Sequence, residues 1–166
     1  MGVEIERRFI VNSFDWRKIA DTGESFNQGY LLSNPKDWIV RVRIINGEKS
    51  LLTLKAFAKN FTNHEFEYEI PLKDAKSLML LCKYKISKTR YKVRLDNWEW
   101  VVDCFHEQNS PLILAEIELN TESEIFSIPS WCKKEITGIS MWSNASLAQN
   151  PISTWPTSKL KEQGLT

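Results

Sequence analysis

Histidine and cysteine are scarce in this chain of 166 residues, and long apolar runs are absent. The two histidines, His64 and His106, lie far apart in the sequence, and the three cysteines form no CxxC pair. This pattern argues against a disulfide framework and against a zinc site. No stretch approaches the ~20 apolar residues of a membrane span, and no signal peptide precedes the first charged segment. We therefore expect a cytoplasmic protein without a membrane partner.

An excess of charge of either sign is also missing. The chain has 22 Lys and Arg residues against 21 Asp and Glu residues, a formal net charge of +1. Nucleic-acid-binding proteins usually carry a basic field, so we expect no nucleic-acid partner. Because no Gly/Ser/Pro-rich linker divides the sequence, we predict one folded domain over residues 1–149, followed by a peripheral polar tail over residues 150–166.

The chain does contain several extended segments with charged residues at alternate positions. In the first of these segments, Glu4, Glu6 and Arg8 alternate with residues such as Ile5 and Phe9. Side chains on a strand alternate between the two faces of a sheet, so these three charges share one face. The same alternation recurs over residues 40–44, 52–55, 65–70, 88–94 and 114–119. One such strand is an ordinary amphipathic strand in water, whereas the repeated pattern predicts a charged face that binds a polyanion and its metal.

The apolar pattern predicts a mainly antiparallel α+β fold. Turn signals such as Asn46-Gly47 separate segments that alternate like strands. These predicted strands cover residues 4–11, 28–32, 38–45, 50–56, 65–70, 88–95, 99–105 and 112–119. Helices are predicted near residues 16–20, over residues 74–84, after a capping box at Thr121, and over residues 144–149. If the sheet curls, it becomes a closed or nearly closed eight-stranded, tunnel-like barrel with a charged interior and a few covering helices.

Eight short motifs follow one another along these segments: Glu4-x-Glu6-x-Arg8, Gln28-Gly29-Tyr30-Leu31, Arg41-x-Arg43, Thr53-Leu54-Lys55, Tyr68-Glu69-Ile70, Lys88-Thr89-Arg90-Tyr91, Asp103 and Glu116-x-Glu118. Taken together, they resemble the CYTH or triphosphate tunnel metalloenzyme family, and its short bacterial inorganic triphosphatases most of all. Each motif alone is a weak signal, but the series runs in family order along most of the chain. The resemblance implies an eight-stranded antiparallel tunnel that hydrolyses a linear triphosphate with Mg²⁺ or Mn²⁺.

The same resemblance implies roles for individual residues. Carboxylates are the ligands that such metal ions prefer, and guanidinium and ammonium groups bind phosphate oxygens. The implied metal ligands are Glu4, Glu6, Asp103, Glu116 and Glu118, with Glu67 and Glu69 as further acids facing the tunnel. The implied phosphate-binding residues are Arg8, Arg41, Arg43, Lys55 and Arg90. Tyr30 and Lys88 match a catalytic pair, in which we expect Tyr30 to hold Lys88 while Lys88 polarises the attacked group or activates the water.

Two departures from the family pattern keep other functions open. Arg8 stands where the family has lysine, and Ile139-Ser140-Met141-Trp142 stands where short bacterial members carry an acid and a base before an aromatic residue. The alternatives are thiamine triphosphatase, nucleoside triphosphatase, class IV adenylate cyclase, or a non-catalytic protein that binds polyphosphate or nucleotide. Residues 108–112 replace the Gly-Leu-Gly type stretch usual in the cyclases, which counts against that activity. A homodimer is also left open.

Overall fold

The structure is a computed structural model that describes residues 5–34, 38–57, 63–121 and 123–165. The predicted metal ligand Glu4 lies outside these residues. The described chain contains nine strands: β1 (Ile5–Val11), β2 (Glu24–Ser33), β3 (Trp38–Ile45), β4 (Lys49–Phe57), β5 (Asn63–Glu69), β6 (Tyr84–Leu95), β7 (Trp98–Phe105), β8 (Ile113–Leu119) and β9 (Cys132–Glu135). The predicted mainly antiparallel β fold with few helices is confirmed, but the described residues form nine strands where the sequence predicted eight.

The helices of the described residues are short. There are three α-helices: α1 (Leu72–Leu81), α2 (Asn144–Gln149) and α3 (Thr157–Gln163). Single turns of 3-10 helix cover Asp15–Ile19, Glu107–Asn109, Ser140–Trp142 and Ile152–Thr154. None of the described helices is long and apolar enough to cross a membrane.

The described chain divides into two compact units. The first unit, residues 25–87, contains four antiparallel strands in the order β5-β4-β3-β2. Asn46 and Gly47 have φ angles of 52° and 73°, so this dipeptide forms the predicted hairpin turn between β3 and β4. Because the register pairs Arg41 with Thr53 and Thr53 with Glu67, the polar residues of β3, β4 and β5 share one face.

Helix α1 covers the opposite, apolar face of the first unit. Its Ala75 packs with the buried Val42 and Ile44 of β3. Gly29 of β2 lies so close to the end of the helix that a Cβ atom there would approach the Met79 sulfur to 2.6 Å and the Cys82 sulfur to 2.7 Å. This close approach explains why the Gln-Gly-Tyr motif needs a residue without a side chain at its centre.

The second unit, residues 5–24 and 88–165, contains the larger apolar core. Its strands lie in the order β6-β7-β8-β1-β9. Alternate apolar side chains of these strands share one face and pack around aromatic residues, including Phe9, Trp100 and Trp131, whose rings are 5.4–5.8 Å apart in neighbouring pairs. Trp16 of the first 3-10 turn is completely buried in the same core. The charged positions of the same strands therefore point to the other face.

Two local predictions were wrong. The helix predicted over residues 74–84 ends at Leu81, and Tyr84 already begins β6. The capping box at Thr121 starts no helix in the described residues that follow it. Glu124 still accepts hydrogen bonds from the backbone N–H groups of Asn120 and Thr121, but these bonds close a turn instead. A capping box satisfies the same backbone donors in either conformation, so it does not by itself decide that a helix follows.

The tail also differs from the peripheral segment that its polar composition predicts. Ile152 and Trp155 are buried, and the Trp155 ring lies 5.3 Å from that of Trp142. The buried Asn109 accepts a hydrogen bond from the Ile152 N–H group and donates one to the Leu147 carbonyl. A few apolar anchors among polar residues are sufficient to hold this segment within the second unit.

Candidate active site

The charged face of the second unit is set by strand register. Arg8 of β1 lies opposite Glu116 of β8, and Arg90 of β6 lies opposite Asp103 of β7. Lys88 precedes Arg90 by two residues on β6 and so shares its face. The alternation found in the sequence therefore brings predicted phosphate-binding residues and predicted metal ligands together.

These five side chains form a continuous series in which positive and negative groups alternate. Arg8 donates to a Glu116 oxygen at 2.9 Å, and Arg90 Nη2 lies 3.3 Å from the other Glu116 oxygen. Arg90 also donates to both Asp103 oxygens, each at 2.8 Å, and Lys88 donates to Asp103 Oδ2 at 2.5 Å. Each acid thus contacts two cations. The sequence alone suggested that these charges need an external partner, whereas the structure shows that they also neutralise one another.

Lys88 and Asp103 are the most buried charges of the series. Each side chain is only 1% exposed, compared with 26% for Arg90. Burial lowers the pKa of Lys88 to about 8, and the nearby Asp103 carboxylate only partly opposes this effect. For Asp103, burial alone would raise the pKa, but the charges and hydrogen bonds of Lys88 and Arg90 outweigh it and hold the pKa at about 2. Asp103 is therefore ionised at neutral pH.

Arg8 has partners that the sequence pattern did not indicate. Its Nη2 donates to the Trp142 carbonyl at 3.3 Å, and its backbone N–H donates to the Thr137 hydroxyl at 3.0 Å. Both partners follow the strands of the repeated pattern and carry no charge, so no charge pattern could have revealed them. Trp142 ends the segment that departs from the family pattern, and the structure connects this segment directly to Arg8.

A pair of carboxylates on the same face suits a divalent metal ion. Glu6 of β1 lies opposite Glu118 of β8 in the register, and both residues are exposed. Like charges directly opposite each other on neighbouring strands are destabilising unless a cation lies between them. Among the described residues there is no cluster of three or more potential metal ligands. The two glutamates therefore offer suitable oxygen ligands, but two carboxylates do not form a metal site by themselves.

The first unit carries a second charged face, on which the contacts are looser. Arg41 Nη2 lies 3.6 Å from Glu67 Oε2, Arg43 Nη1 lies 3.7 Å from the same oxygen, and Lys55 Nζ lies 3.4 Å from Glu65. Thr53 lies among these groups. Its buried hydroxyl donates to Glu67 at 2.8 Å and accepts from Arg41 at 3.2 Å. The Thr-Leu-Lys motif contained this threonine, but charge alternation alone gave it no role.

Tyr30 belongs to this first charged face. It lies opposite Arg41 in the register, and burial raises the pKa of its phenol to about 12 although Arg41 and Arg43 act in the opposite direction. Its predicted contact with Lys88 joins residues of different units and stays a prediction. Glu69 lies opposite Leu51 and is exposed. Within the part of the chain that the structure describes, the buried Gln28 Oε1 and Arg41 Nε atoms have no hydrogen-bond partner.

Residues 2–149 match the CYTH domain. The chain belongs to the CYTH family. An inorganic triphosphatase from Acetivibrio thermocellus is 40% identical over 153 residues, which cover 91% of this CYTH chain and 96% of the relative. The similarity therefore extends over nearly the whole of both proteins.

Solved structures share the fold. The crystal structure of an inorganic triphosphatase, 28% identical, covers 89% of this CYTH protein and 95% of its own chain with a TM-score of 0.69. A putative adenylyl cyclase from Hippeastrum, described as having a dominant triphosphatase activity, is 13% identical and gives a TM-score of 0.55 over 72% of this chain and 80% of its own. At that identity the second likeness concerns the fold alone. CYTH triphosphatases are metal-dependent in general, in agreement with the opposed glutamates.

Proposed function

We propose that this CYTH protein is a metal-dependent inorganic triphosphatase, which hydrolyses linear triphosphate to diphosphate and phosphate. The observation that carries the proposal is the charged face of the second unit, where Arg8 and Arg90 are held by acids beside the opposed Glu6 and Glu118. The relative of 40% identity, which is named an inorganic triphosphatase, supports the choice of substrate.

Guanidinium and ammonium groups are the proposed phosphate-binding groups. A linear triphosphate is a dense polyanion, and guanidinium groups match its oxygens with two parallel donors. The proposed phosphate-binding residues are Arg8, Arg41, Arg43, Lys55 and Arg90. The buried Arg41 Nε, which has no hydrogen-bond partner among the described residues, supports an anion as the missing acceptor.

Glu6 and Glu118, with Glu4 and Glu116, would hold a divalent metal ion, and we propose Mg²⁺ or Mn²⁺. When bound, such an ion supplies a Lewis acid for the phosphate oxygens. Glu67 and Glu69 stay as proposed further ligands. The small-molecule triphosphate is the proposed partner.

Hydrolysis requires water to attack the terminal phosphorus in line with the leaving diphosphate. As the phosphorus–oxygen bond breaks, negative charge grows on the bridging oxygen, and the fixed guanidinium groups stabilise this charge. We assign Lys88 to polarising the attacked phosphoryl group. A phenol whose pKa is about 12 stays protonated at neutral pH, so Tyr30 does not act as a base.

The first test is phosphate release from inorganic triphosphate, from ATP and from thiamine triphosphate, each with Mg²⁺, with Mn²⁺ and with a chelator. Metal-dependent release with a preference for inorganic triphosphate is expected. Binding of triphosphate without release from any substrate would contradict the proposal and indicate a binding protein.

The Lys88→Ala variant tests the catalytic assignment. It should lose most turnover while still binding triphosphate, because the five other bases remain. Lys92→Ala is the matched control, since Lys92 lies on the same strand but pairs with Glu99 at an exposed position. Weaker binding with unchanged turnover in Lys88→Ala would reject the assignment.

A further inference from the structure

Asp103 is the most buried of the predicted metal ligands that the structure describes. It lies on β7 with Arg90 opposite on β6, and its side chain is 1% exposed. Its Oδ1 accepts from Arg90 Nε, and its Oδ2 accepts from both Arg90 Nη2 and Lys88 Nζ, at distances from 2.5 to 2.8 Å. Glu116 also contacts two cations, but its side chain is 16% exposed. Glu6 and Glu118 are exposed.

These contacts leave Asp103 little capacity for a metal ion. A carboxylate offers about four acceptor positions, and three are occupied by hydrogen bonds from cations. A divalent ion bound to either oxygen would lie beside an ammonium or a guanidinium group in a site shielded from water, where repulsion between like charges is strong. To bind the metal, Asp103 would have to release the cations it already holds.

The same contacts fix the two cations with respect to each other. Lys88 and Arg90 are two positions apart on one strand and point to the same face, so their charges repel. Asp103 binds both, and its two parallel bonds to Arg90 set the plane of the guanidinium group. Arg90 in turn reaches Glu116, the acid that holds Arg8.

We propose that Asp103 is a positioning residue that holds Lys88 and Arg90 in the geometry for phosphoryl transfer, and that it is not a ligand of the metal. The inference rests on the proposed function for the meaning of that geometry. It changes the role that the family resemblance implied for Asp103, and it assigns the immobilisation of Lys88 to a residue of its own unit.

Asp103→Asn is the variant that separates the two roles, because it keeps the shape and removes the charge. Loss of a positioning partner should lower kcat for inorganic triphosphate by about 10–100-fold. The KM should stay the same or fall, because the site loses a negative charge. The Mn²⁺ concentration for half-maximal activity should be unchanged. Glu118→Gln is the matched control and should raise the Mn²⁺ requirement instead. A raised requirement in Asp103→Asn, with activity recovered at high Mn²⁺, would overturn the inference.

A double-mutant cycle with Lys88→Met tests whether Asp103 acts through Lys88. If it does, the losses in kcat of the two single variants should not multiply in the double variant. The double variant also lacks the buried ammonium group left without its carboxylate partner, so it covers the case in which Asp103→Asn fails to fold. Fully multiplicative losses would contradict the positioning role.

A crystal structure grown with Mn²⁺ and inorganic triphosphate gives a readout without turnover, because anomalous scattering locates the metal. Asp103 should keep its hydrogen bonds with Lys88 and Arg90, and no Mn²⁺ ion should lie within bonding distance of its oxygens. A Mn²⁺ ion in direct contact with Asp103 would overturn the inference even if the enzyme is active. Conversely, a wild-type protein that releases no phosphate would refute the proposed function alone, since this structure still shows which groups Asp103 binds.

Discussion

The two charged faces are built from the same residue types but differ in how tightly the charges are held. In the second unit, the contacts that link Arg8, Lys88 and Arg90 to Asp103 and Glu116 are 2.5–3.3 Å long. In the first unit, the ion pairs of Arg41, Arg43 and Lys55 with Glu65 and Glu67 are 3.4–3.8 Å long. The charges of the second face are therefore held tightly by hydrogen bonds, whereas those of the first are held loosely by longer ion pairs.

Burial explains why the difference matters energetically. The side chains of the looser pairs are 17–38% exposed, so water screens them and each pair contributes about 0–1 kcal/mol. Lys88 and Asp103 are shielded from water, and removing one partner of such a pair leaves an uncompensated buried charge. The same type of substitution should therefore have very different effects on the two faces.

The largest effect is expected for Asp103→Ala. It should lower the free energy of unfolding by about 3–5 kcal/mol, because Lys88 loses its carboxylate partner while remaining buried. Urea denaturation followed by tryptophan fluorescence measures this change. Lys88→Met provides the control and should cost less, since Asp103 keeps both hydrogen bonds from Arg90. Equal losses of stability in the two variants would show that the lost ion pair, and not the ammonium group left unpaired, determines the change in the free energy of unfolding.

The contrast between the faces also shows what the sequence could predict. Alternation of charged and apolar residues was sufficient to assign the faces of β1, β6 and β8, because side-chain direction on a strand depends only on position. It could not show that Asp103 would be shared by Lys88 and Arg90, because this depends on register between β6 and β7 and on burial. The family resemblance indicated which residues belong to the site, whereas the contacts between these residues became apparent only from the folded structure.

Segments whose apolar residues show no strand or helix periodicity were harder to predict. Strand β9 has four residues and ion-pairs through Glu135 with Arg7, yet its polar sequence shows no alternation of apolar residues. The C-terminal tail is held by a few buried residues such as Ile152 and Trp155. Because most of its other residues are polar, the composition of the tail did not indicate these contacts. Tertiary contacts determine such segments, and local propensity does not.

The next largest effect is expected at Arg8, at the edge of the tightly held series. Arg8→Lys restores the residue of the family pattern but removes the planar group that reaches Glu116 and the Trp142 carbonyl together. We expect a loss of about 1.5–3 kcal/mol in the free energy of unfolding, the range for hydrogen bonds to charged groups. Chemical denaturation checks the value. Unchanged stability would mean that lysine reaches the same partners, so the guanidinium group adds nothing to the structure.

A smaller effect is expected from Thr53→Val in the first unit. This substitution keeps the shape and removes the hydroxyl that bridges Arg41 and Glu67, with an expected loss of about 0.5–1.5 kcal/mol. The KM for inorganic triphosphate should rise because Arg41 loses its anchor. Ser50→Ala is the matched control, since this buried hydroxyl of the same strand donates to the Ile70 carbonyl instead. It should lower stability similarly and leave the KM unchanged, and a shared change in KM would contradict a specific role for Thr53.

The smallest effect on stability is expected for Glu67→Gln, which decides how the looser face works. Glu67 lies 3.6–3.7 Å from Arg41 and Arg43 and is 35% exposed, so the free energy of unfolding should change by less than about 1 kcal/mol. Its effect on activity depends on its role. If Glu67 serves only to balance the two arginines, its removal frees them for phosphate and lowers the KM for inorganic triphosphate.

If Glu67 instead binds metal, as the family resemblance implies, the same variant should raise the Mn²⁺ concentration needed for half-maximal activity. Titrations of phosphate release against triphosphate and against Mn²⁺ separate these outcomes. A lower KM at an unchanged Mn²⁺ requirement would show that Glu67 only balances the charges of the two arginines and competes with the substrate for them. A raised Mn²⁺ requirement would indicate that each face carries a metal ligand. The two faces would then differ only in how tightly their basic residues are held.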